Sequence, residues 1–301
     1  MLACRAPMAR LSPRDLVLLA LLTVFWGVNW PVMKFGVAAM PPLYFRAICI
    51  AGGLVVIWAW ARATGVSLAV PKGAWPTIVK LAWPNLIVWH LLAIIALKLL
   101  PSGRAAILGY TMPVWAVVFG LLLFNEKPLL RHWFGVAAAF IGTLLLLSSE
   151  ITKLAGSPLG TILMLTAAAA WGYGTHLMRR NLMSMPTIAL TFWMLVLTLV
   201  AVSVGSVAFE MSWWRAPTPL EWISIVYNMA IAIAFCHVVW AMLARTLPPA
   251  ASGLSVMMIP VVGVFSGMLM LGEEPHWQDY GALVLILLAL STVLLPSRVR
   301  P

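Results

Sequence analysis

The sequence predicts an all-α polytopic membrane protein, with ten transmembrane helices arranged as two inverted five-helix repeats. Three observations carry that fold class. The first is composition: 63% of the 301 residues are hydrophobic, 9% are charged and the mean hydropathy is +1.02. A water-soluble domain needs roughly 25% charged residues to cover its surface, so this chain is not a soluble one. The second is spacing: apolar runs of about 20 residues, the length that crosses a hydrocarbon core, follow one another almost without gaps. The third is recurrence: Trp26-Gly27, Met33-Lys34 and Met40-Pro41 return 145 residues later as Trp171-Gly172, Met178-Arg179 and Met185-Pro186.

Breaks at Pro, Gly and charge clusters divide the chain into helices at about 16–38, 43–61, 76–98, 104–124, 130–148, 159–178, 187–208, 220–243, 250–271 and 279–295. The first is expected to break near its middle at Pro31 and carries Lys34 toward one end. The second opens at Pro41-Pro42 and holds Arg46 and the Gly52-Gly53 pair; the third holds Asn85 and His90. Tyr110, Thr111 and Pro113 lie in the fourth, and Gly135 and Gly142 in the fifth allow close helix approach. A second register, offset by 147, then relates the later helices. Leu100-Pro101 matches Leu247-Pro248, and Pro113-Val114, Val117, Gly120 and Leu122 match Pro260-Val261, Val264, Gly267 and Leu269. Glu126 and Pro128 match Glu273 and Pro275, and His90 matches His237. The continuous runs do not alternate, as the strands of a membrane barrel would.

This organisation reads as a cytoplasmic segment 1–15, a first repeat 16–148, a linker 149–158, a second repeat 159–295 and a cytoplasmic tail 296–301. An odd number of spans per repeat inverts the second copy, so the pseudo-two-fold axis lies in the membrane plane. Inverted repeats mark secondary transporters, because exchanging the conformations of two equivalent halves turns one access state into the other.

The net charge of +11 reflects orientation rather than a nucleic-acid surface. Cytoplasmic loops are enriched in Lys and Arg. With the N-terminus inside, twelve cations fall on the inner side, among them Arg62, Lys127, Arg131, Arg179, Arg180 and Arg245. Six fall outside: Lys34, Arg46, Lys98, Arg104, Lys153 and Arg215. Both termini are therefore expected in the cytoplasm. Cys4, Cys49 and Cys236 have no metal-ligand spacing, so neither a disulfide framework nor a metal is expected. Leu2-Ala3-Cys4 superficially matches a lipoprotein cleavage site, but no apolar segment precedes it, and the first apolar run is too long for a cleaved signal peptide.

The Trp-Gly pairs of the first and sixth helices, Pro41 and Pro186, Arg46, and the endings Glu126-Lys127-Pro128 and Glu273-Glu274-Pro275 together resemble the drug/metabolite transporter superfamily. Within it they resemble the EamA-type ten-span family, and more narrowly its bacterial exporters of aromatic amino acids of the YddG type. The resemblance covers nearly the whole chain. It implies a cavity between spans 1–4 and 6–9, with spans 5 and 10 peripheral. It also implies export of a small, amino-acid-like molecule across a bacterial inner membrane, without a cofactor.

Polar groups within hydrocarbon are costly and usually face a bundle interior or a cavity. The candidate substrate-binding residues are Trp26, Asn29, Asn85, Trp89, His90, Tyr110, Trp171, Tyr173, His176 and His237. Pro31, Pro113 and Pro260 are candidate gating positions, since a proline leaves the carbonyl four residues back unpaired. His90 is placed one position round from Trp89, toward the side of Trp83. It can bind a substrate carboxylate or carry a proton, or serve only an interhelical hydrogen bond. Trp60, Trp75, Trp133, Trp213, Trp214, Trp222 and Trp277 fit an interfacial belt. The deeper Trp30, Trp115, Trp193 and Trp240 join Trp26, Trp89 and Trp171 in lining a cavity or packing the bundle. Lys34 and Arg46 flank the first outer turn, either drawing a carboxylate to the mouth or snorkelling to headgroups. Glu126 and Glu273 are expected to order loops or lock spans together.

All eight acids sit at span ends, in loops or in the N-terminal segment, which argues against a mid-membrane carboxylate relay and against a buried site for a strongly cationic drug. No HExxH, paired aspartates, Gly-x-Ser-x-Gly or phosphate loop occurs, so an enzyme or an ATP-driven motor is not expected. No selectivity-filter sequence or charge ring favours a channel. The alternatives that stay open are a lipid or lipid-linked carrier flippase, and an exporter of other amphipathic compounds such as drugs or nucleobases. Expected partners are the substrate, membrane lipids and at most a second copy of the chain in a homodimer.

Overall fold

The computed structural model describes residues 12–126, 129–152, 157–181, 183–243 and 249–294, with their side chains except at 147–152, 241–243, 249–256 and 293–294. The residues Leu2 to Cys4, Arg5, Arg10, Lys127, Pro128, Lys153, Arg245, Leu247, Pro248, Arg298 and Arg300, singled out from sequence, lie outside the described residues. Regular structure among the described residues is helical.

Ser12 starts α1 (Pro13–Ala39) with a reciprocal capping box to Asp15, and Pro13 sits in the first turn where its missing N–H costs nothing. Pro31 was expected to break this helix; α1 instead runs through it unbroken. Two hydrogen bonds flank the lost backbone bond, from Tyr227 Oη to Phe25 O (2.8 Å) and from Ser224 Oγ to Val32 O (2.6 Å). α2 (Pro42–Thr64) follows Pro41, which supplies no side-chain cap. Its open N–H groups at Leu43 and Tyr44 donate to Glu210 at 3.1 and 2.8 Å, so a distant helix end caps this one. Gly65, in the left-handed conformation at φ 70°, closes α2.

The third predicted span contains a discontinuity that its hydrophobic pattern does not announce. α3 (Trp75–Ala82) passes into a π-helical stretch, Trp83–Ile87, and then α4 (Val88–Leu99). Pro84 cannot donate, the Asn85 amide donates to Leu81 O at 2.8 Å, and Val88 N–H reaches back five residues to Trp83 O. The fourth predicted span is broken outright: α5 (Ser102–Gly109) ends at Tyr110-Thr111, and α6 (Met112–Phe124) restarts with Pro113 in its first turn. α7 (Leu130–Thr152), α8 (Pro158–Arg179) and α9 (Thr187–Glu210) are regular. α10 (Pro219–Val226) enters a longer π stretch, Tyr227–Phe235, before α11 (Cys236–Leu243). α12 (Pro249–Leu271) carries Pro260 without interruption, and α13 (Trp277–Leu294) ends the described chain.

Among the described residues, six helical segments, taken through the π stretches and the α5–α6 turn, are long and apolar enough to cross a membrane: Pro13–Ala39, Pro42–Thr64, Trp75–Leu99, Ser102–Phe124, Thr187–Trp213 and Pro219–Trp240. Leu130–Leu146, Met257–Leu271 and Trp277–Thr292 are shorter apolar helices. Large apolar side chains such as Val55, Leu122, Phe140, Leu269 and Val284 are exposed on the outer faces. A continuous apolar exterior of this kind is unfavourable in water and matches a lipid surround. The protein is a polytopic helical membrane protein.

Packing joins helices from distant parts of the chain: α1 with α12, α6 with α8, α4 with α8, α2 with α9 and the second π stretch, and α7 with α13. Two contacts decide how closely these helices meet. A Cβ on Gly27 of α1 would fall 2.4 Å from Val262 Cγ1 and 3.2 Å from Ile259 O, both on α12. A Cβ on Gly172 of α8 would fall 2.8 Å from Met112 O, Ala116 N and Trp115 Cβ, all on α6. Only glycine permits either approach.

Candidate functional site

The interior of the bundle holds two aromatic groups. Trp26 Nε1 donates to Ala232 O at 3.2 Å, and its ring lies edge-on to His237 (5.8 Å) and tilted against Trp240 (6.1 Å). Trp30 lies edge-on to Tyr110 at 6.4 Å, and Trp89 edge-on to Trp171 at 5.3 Å. Gly109 joins these last two pairs: a Cβ there would sit 3.0 Å from the Trp30 ring and 3.3 Å from Trp89. The chain Tyr110–Trp30–Trp89–Trp171 therefore spans α1, α4, the α5–α6 break and α8. Trp26, Trp89 and Trp171 stay partly exposed although each contacts interior helices.

The helices that carry these rings, and their neighbours, also hold buried polar atoms without partners. Among the described residues they include Asn29 Oδ1, Arg46 Nε, both ring nitrogens of His90 and Asn228 Oδ1. Arg46 is 5% exposed and His90 6%. Arg46 Nη2 meets Met33 Sδ at 2.7 Å, and the guanidinium lies in electrostatic range of both His90 and His237. A buried polar group without a hydrogen bond is costly, so these atoms call for a partner such as water or a ligand.

One end of the bundle is tied by carboxylates. Glu273 accepts from Ser102 N (2.6 Å), Gly103 N (3.1 Å) and Ser102 Oγ (3.0 Å), capping α5. Arg104 in the next turn makes a two-pronged pair with Asp279, at 2.8 Å to Oδ1 and 3.0 Å to Oδ2. Arg215 pairs with Glu221 (2.8 Å to Oε2) and donates to Ala39 O, and its hydrogen bonds to Glu221 hold the guanidinium above the ordinary value. Lys34 Nζ donates to the Leu97 and Lys98 carbonyls at 3.0 Å each, closing the end of α4.

At the opposite end Glu126 faces His176. His176 Nδ1 lies 3.3 Å from Glu126 Oε1, its Nε2 sits 2.6 Å from Ala116 O, and its ring stacks on Phe124 at 4.6 Å. The carbonyl can only accept, so Nε2 donates to it. Tyr173 joins the same group through Phe119 and Phe124, each at 5.9 Å.

Several sequence expectations change here. Asn85, Trp89, His90, Tyr110, Trp171, Trp26, Asn29 and His237 share the interior, while Tyr173 and His176 belong to the Glu126 end. Asn85 packs on Gly174, where a Cβ would lie 2.5 Å from its amide. His90 does not share a face with Trp83: the histidine is buried and Trp83 is 61% exposed. The π stretch between them adds one residue to a turn, which rotates the rest of the helix by about 100°. Trp193 is not deep either; its Nε1 donates to Leu68 O, in the connection after α2, at 2.7 Å. Arg46, placed at the outer mouth from sequence, is an interior residue. No sequence signal settled its direction, because a long cationic side chain four residues inside a helix can turn to the headgroups or to the bundle.

The sequence model described as the EamA-like transporter family matches residues 15–148 and again 158–295. A curated relative, "Uncharacterized transporter YoaV" of Bacillus subtilis (strain 168), is 24% identical over 84% of this chain and 87% of its own length. A "Probable amino-acid metabolite efflux pump" of Salmonella typhimurium is 26% identical over 96% of this chain and 98% of its own. The "Aromatic amino acid exporter YddG" of Ancylobacter novellus is 27% identical over 62% of this chain and 65% of its own. A solved structure described only as "Crystal structure of protein" shares the fold, with a TM-score of 0.66 at 22% identity, covering 93% of this chain and 96% of that one.

Proposed function

Because the chain belongs to the EamA-like transporter family, we propose that it is an alternating-access secondary transporter exporting small metabolites, aromatic or other hydrophobic amino acids foremost. The observation that carries this reading is the interior pairing of partly exposed tryptophan rings with buried, unpartnered polar atoms. Rings bind an apolar body, and the polar atoms bind a compact headgroup. The names borne by the efflux-pump and exporter relatives support an amino-acid-like substrate.

Ten spans in two inverted repeats form part of the same proposal. The double family match supports it. So does the glycine packing, because Ile259 and Val262 stand 147 residues after Met112 and Trp115, just as Gly172 stands 145 after Gly27. Each Trp-Gly glycine thus rests on the equivalent place in the opposite half. The transporter sits in the bacterial inner membrane as a monomer or homodimer, with both termini cytoplasmic, as twelve cations inside, against the five left outside once Arg46 is counted as interior, support. The Glu273 end is then the outer end. Pro113, at the break between α5 and α6, Pro260 and Pro31 are the gating positions.

A lipid or lipid-linked carrier flippase draws on a different feature, an apolar groove of about 340 Å³ between α2 and α9 lined by Tyr44, Ala47, Leu199, Ser203 and Trp214. Proteoliposome flux of labelled amino acids, with and without a pH gradient, separates the two. Saturable phenylalanine or tryptophan flux is expected; movement of a lipid analogue with no amino-acid flux would sink the proposal.

A further inference from the structure

Arg46 is a buried charge with no opposite charge beside it among the described residues. Its partner among the described residues is the thioether of Met33, a weak acceptor, and its Nε meets nothing. The groups in electrostatic range of it are Cys49, His90 and His237. The acids of the chain are Asp15, Glu126, Glu150, Glu210, Glu221, Glu273, Glu274 and Asp279, all near helix ends. Among the described residues none forms an ion pair with Arg46. Glu210, on the neighbouring helix, is held instead by the backbone of Leu43 and Tyr44.

Burying a guanidinium in hydrocarbon without an anion is strongly unfavourable. The surroundings leave space in the hydrogen-bonding scheme for one, since both His90 nitrogens are also unpartnered. For an ammonium, the unpartnered acceptors among the described residues, Asn29 Oδ1 and Asn228 Oδ1 among them, are neutral.

We propose that Arg46, assisted by His90, anchors a carboxylate, so that the transporter selects aromatic organic acids and does not require their amino group. This deepens the transport reading above and rests on it. The carboxylate geometry suits the planar fork of Arg46, and the ring of the ligand meets the Trp30–Trp89–Trp171 wall. Aromatic 2-oxo acids then qualify as substrates beside the amino acids, whereas aromatic amines do not.

The test uses the purified full chain in proteoliposomes and labelled L-phenylalanine as the reporter. Phenylpyruvate is expected to compete comparably with unlabelled phenylalanine. Phenethylamine and phenylalaninamide are expected to compete at least about tenfold less well, the worth of a charge-assisted hydrogen bond. Arg46→Gln should lower phenylalanine flux at least about tenfold, with Arg46→Lys between it and the parent. If Arg46→Gln does not elute as a folded species, the competition series on the unaltered protein decides alone. Phenethylamine competing as well as phenylalanine, or a folded Arg46→Gln with parental flux, overturns the anchor while leaving amino-acid transport standing. Amine transport that depends on chloride would give the positive charge to an inorganic ion and also overturn it. Flux of a lipid analogue without flux of either acid is the distinct result that removes the transport reading itself.

Discussion

The two ends of the bundle start from the same local structure and finish differently. At each, a helix closes on a left-handed residue, Asn125 at φ 53° or Gly272 at φ 64°, 147 positions apart. The following glutamate N–H bonds six residues back, from Glu126 to Gly120 O and from Glu273 to Gly267 O. The carboxylate then folds over that glycine. Beyond this point the two ends part. Glu273 reaches across 171 residues to cap α5, and the adjoining Arg104–Asp279 pair is almost fully buried. Glu126, whose side chain is 47% exposed, meets His176 and lies 4.0 Å from Arg180. At the same 147-residue offset, Ser102 is matched by Pro249, which has neither an N–H nor a hydroxyl. A shared scaffold with unequal donors therefore gives one firmly held end and one lightly held end.

The largest test of that contrast is Arg104→Ala. Removing one partner of a buried pair costs about 3–5 kcal/mol, expected as a marked fall in unfolding midpoint in detergent. Arg180→Ala at the other end, where both side chains are about half exposed, should cost under about 1 kcal/mol. Equal losses would erase the distinction. Glu273→Gln should come next, at about 2 kcal/mol, and raise hydrogen exchange of the 100–104 segment. Gly267→Ala should follow at about 1 kcal/mol, because its Cβ would press both the Glu273 carboxylate (2.6 Å) and Ser102 Oγ (2.7 Å). Gly120→Ala presses the freer Glu126 at 2.8 Å and should cost less in the same measurement. Pro249→Ser restores a donor to the lighter end. Its effect should be the smallest, about 0.5 kcal/mol, read as slower exchange at the start of α12 that disappears in a Glu126→Gln background.

Helix placement was legible in the sequence because lipid demands long apolar runs and prolines and glycines punctuate them. The matched glutamates were legible as locks for a related reason: a charge at a span end has few roles. The π stretches were not. They arise where Asn85 and Asn228 donate to the carbonyls four residues back, a competition between side chain and backbone that leaves hydrophobic periodicity intact. The misplaced face of His90 follows from that omission. Arg46 was missed because length along a helix reports depth but not direction, and a long side chain near a helix end can turn either way. The interior aromatic set was partly legible: Trp26, Trp89 and Trp171 stood out, whereas the alignment of Trp30 with Tyr110 depended on the break at Thr111.

Gly27 and Gly172 carry a mechanical consequence. Helices with side chains at their contact mesh like gear teeth, and changing the crossing angle means lifting ridges out of grooves. A bare backbone presents no tooth. Where α1 rests on α12 and α8 rests on α6, the surfaces touch closely yet have few ridges to disengage, so a change of crossing angle there meets less side-chain interlock than at a meshed contact.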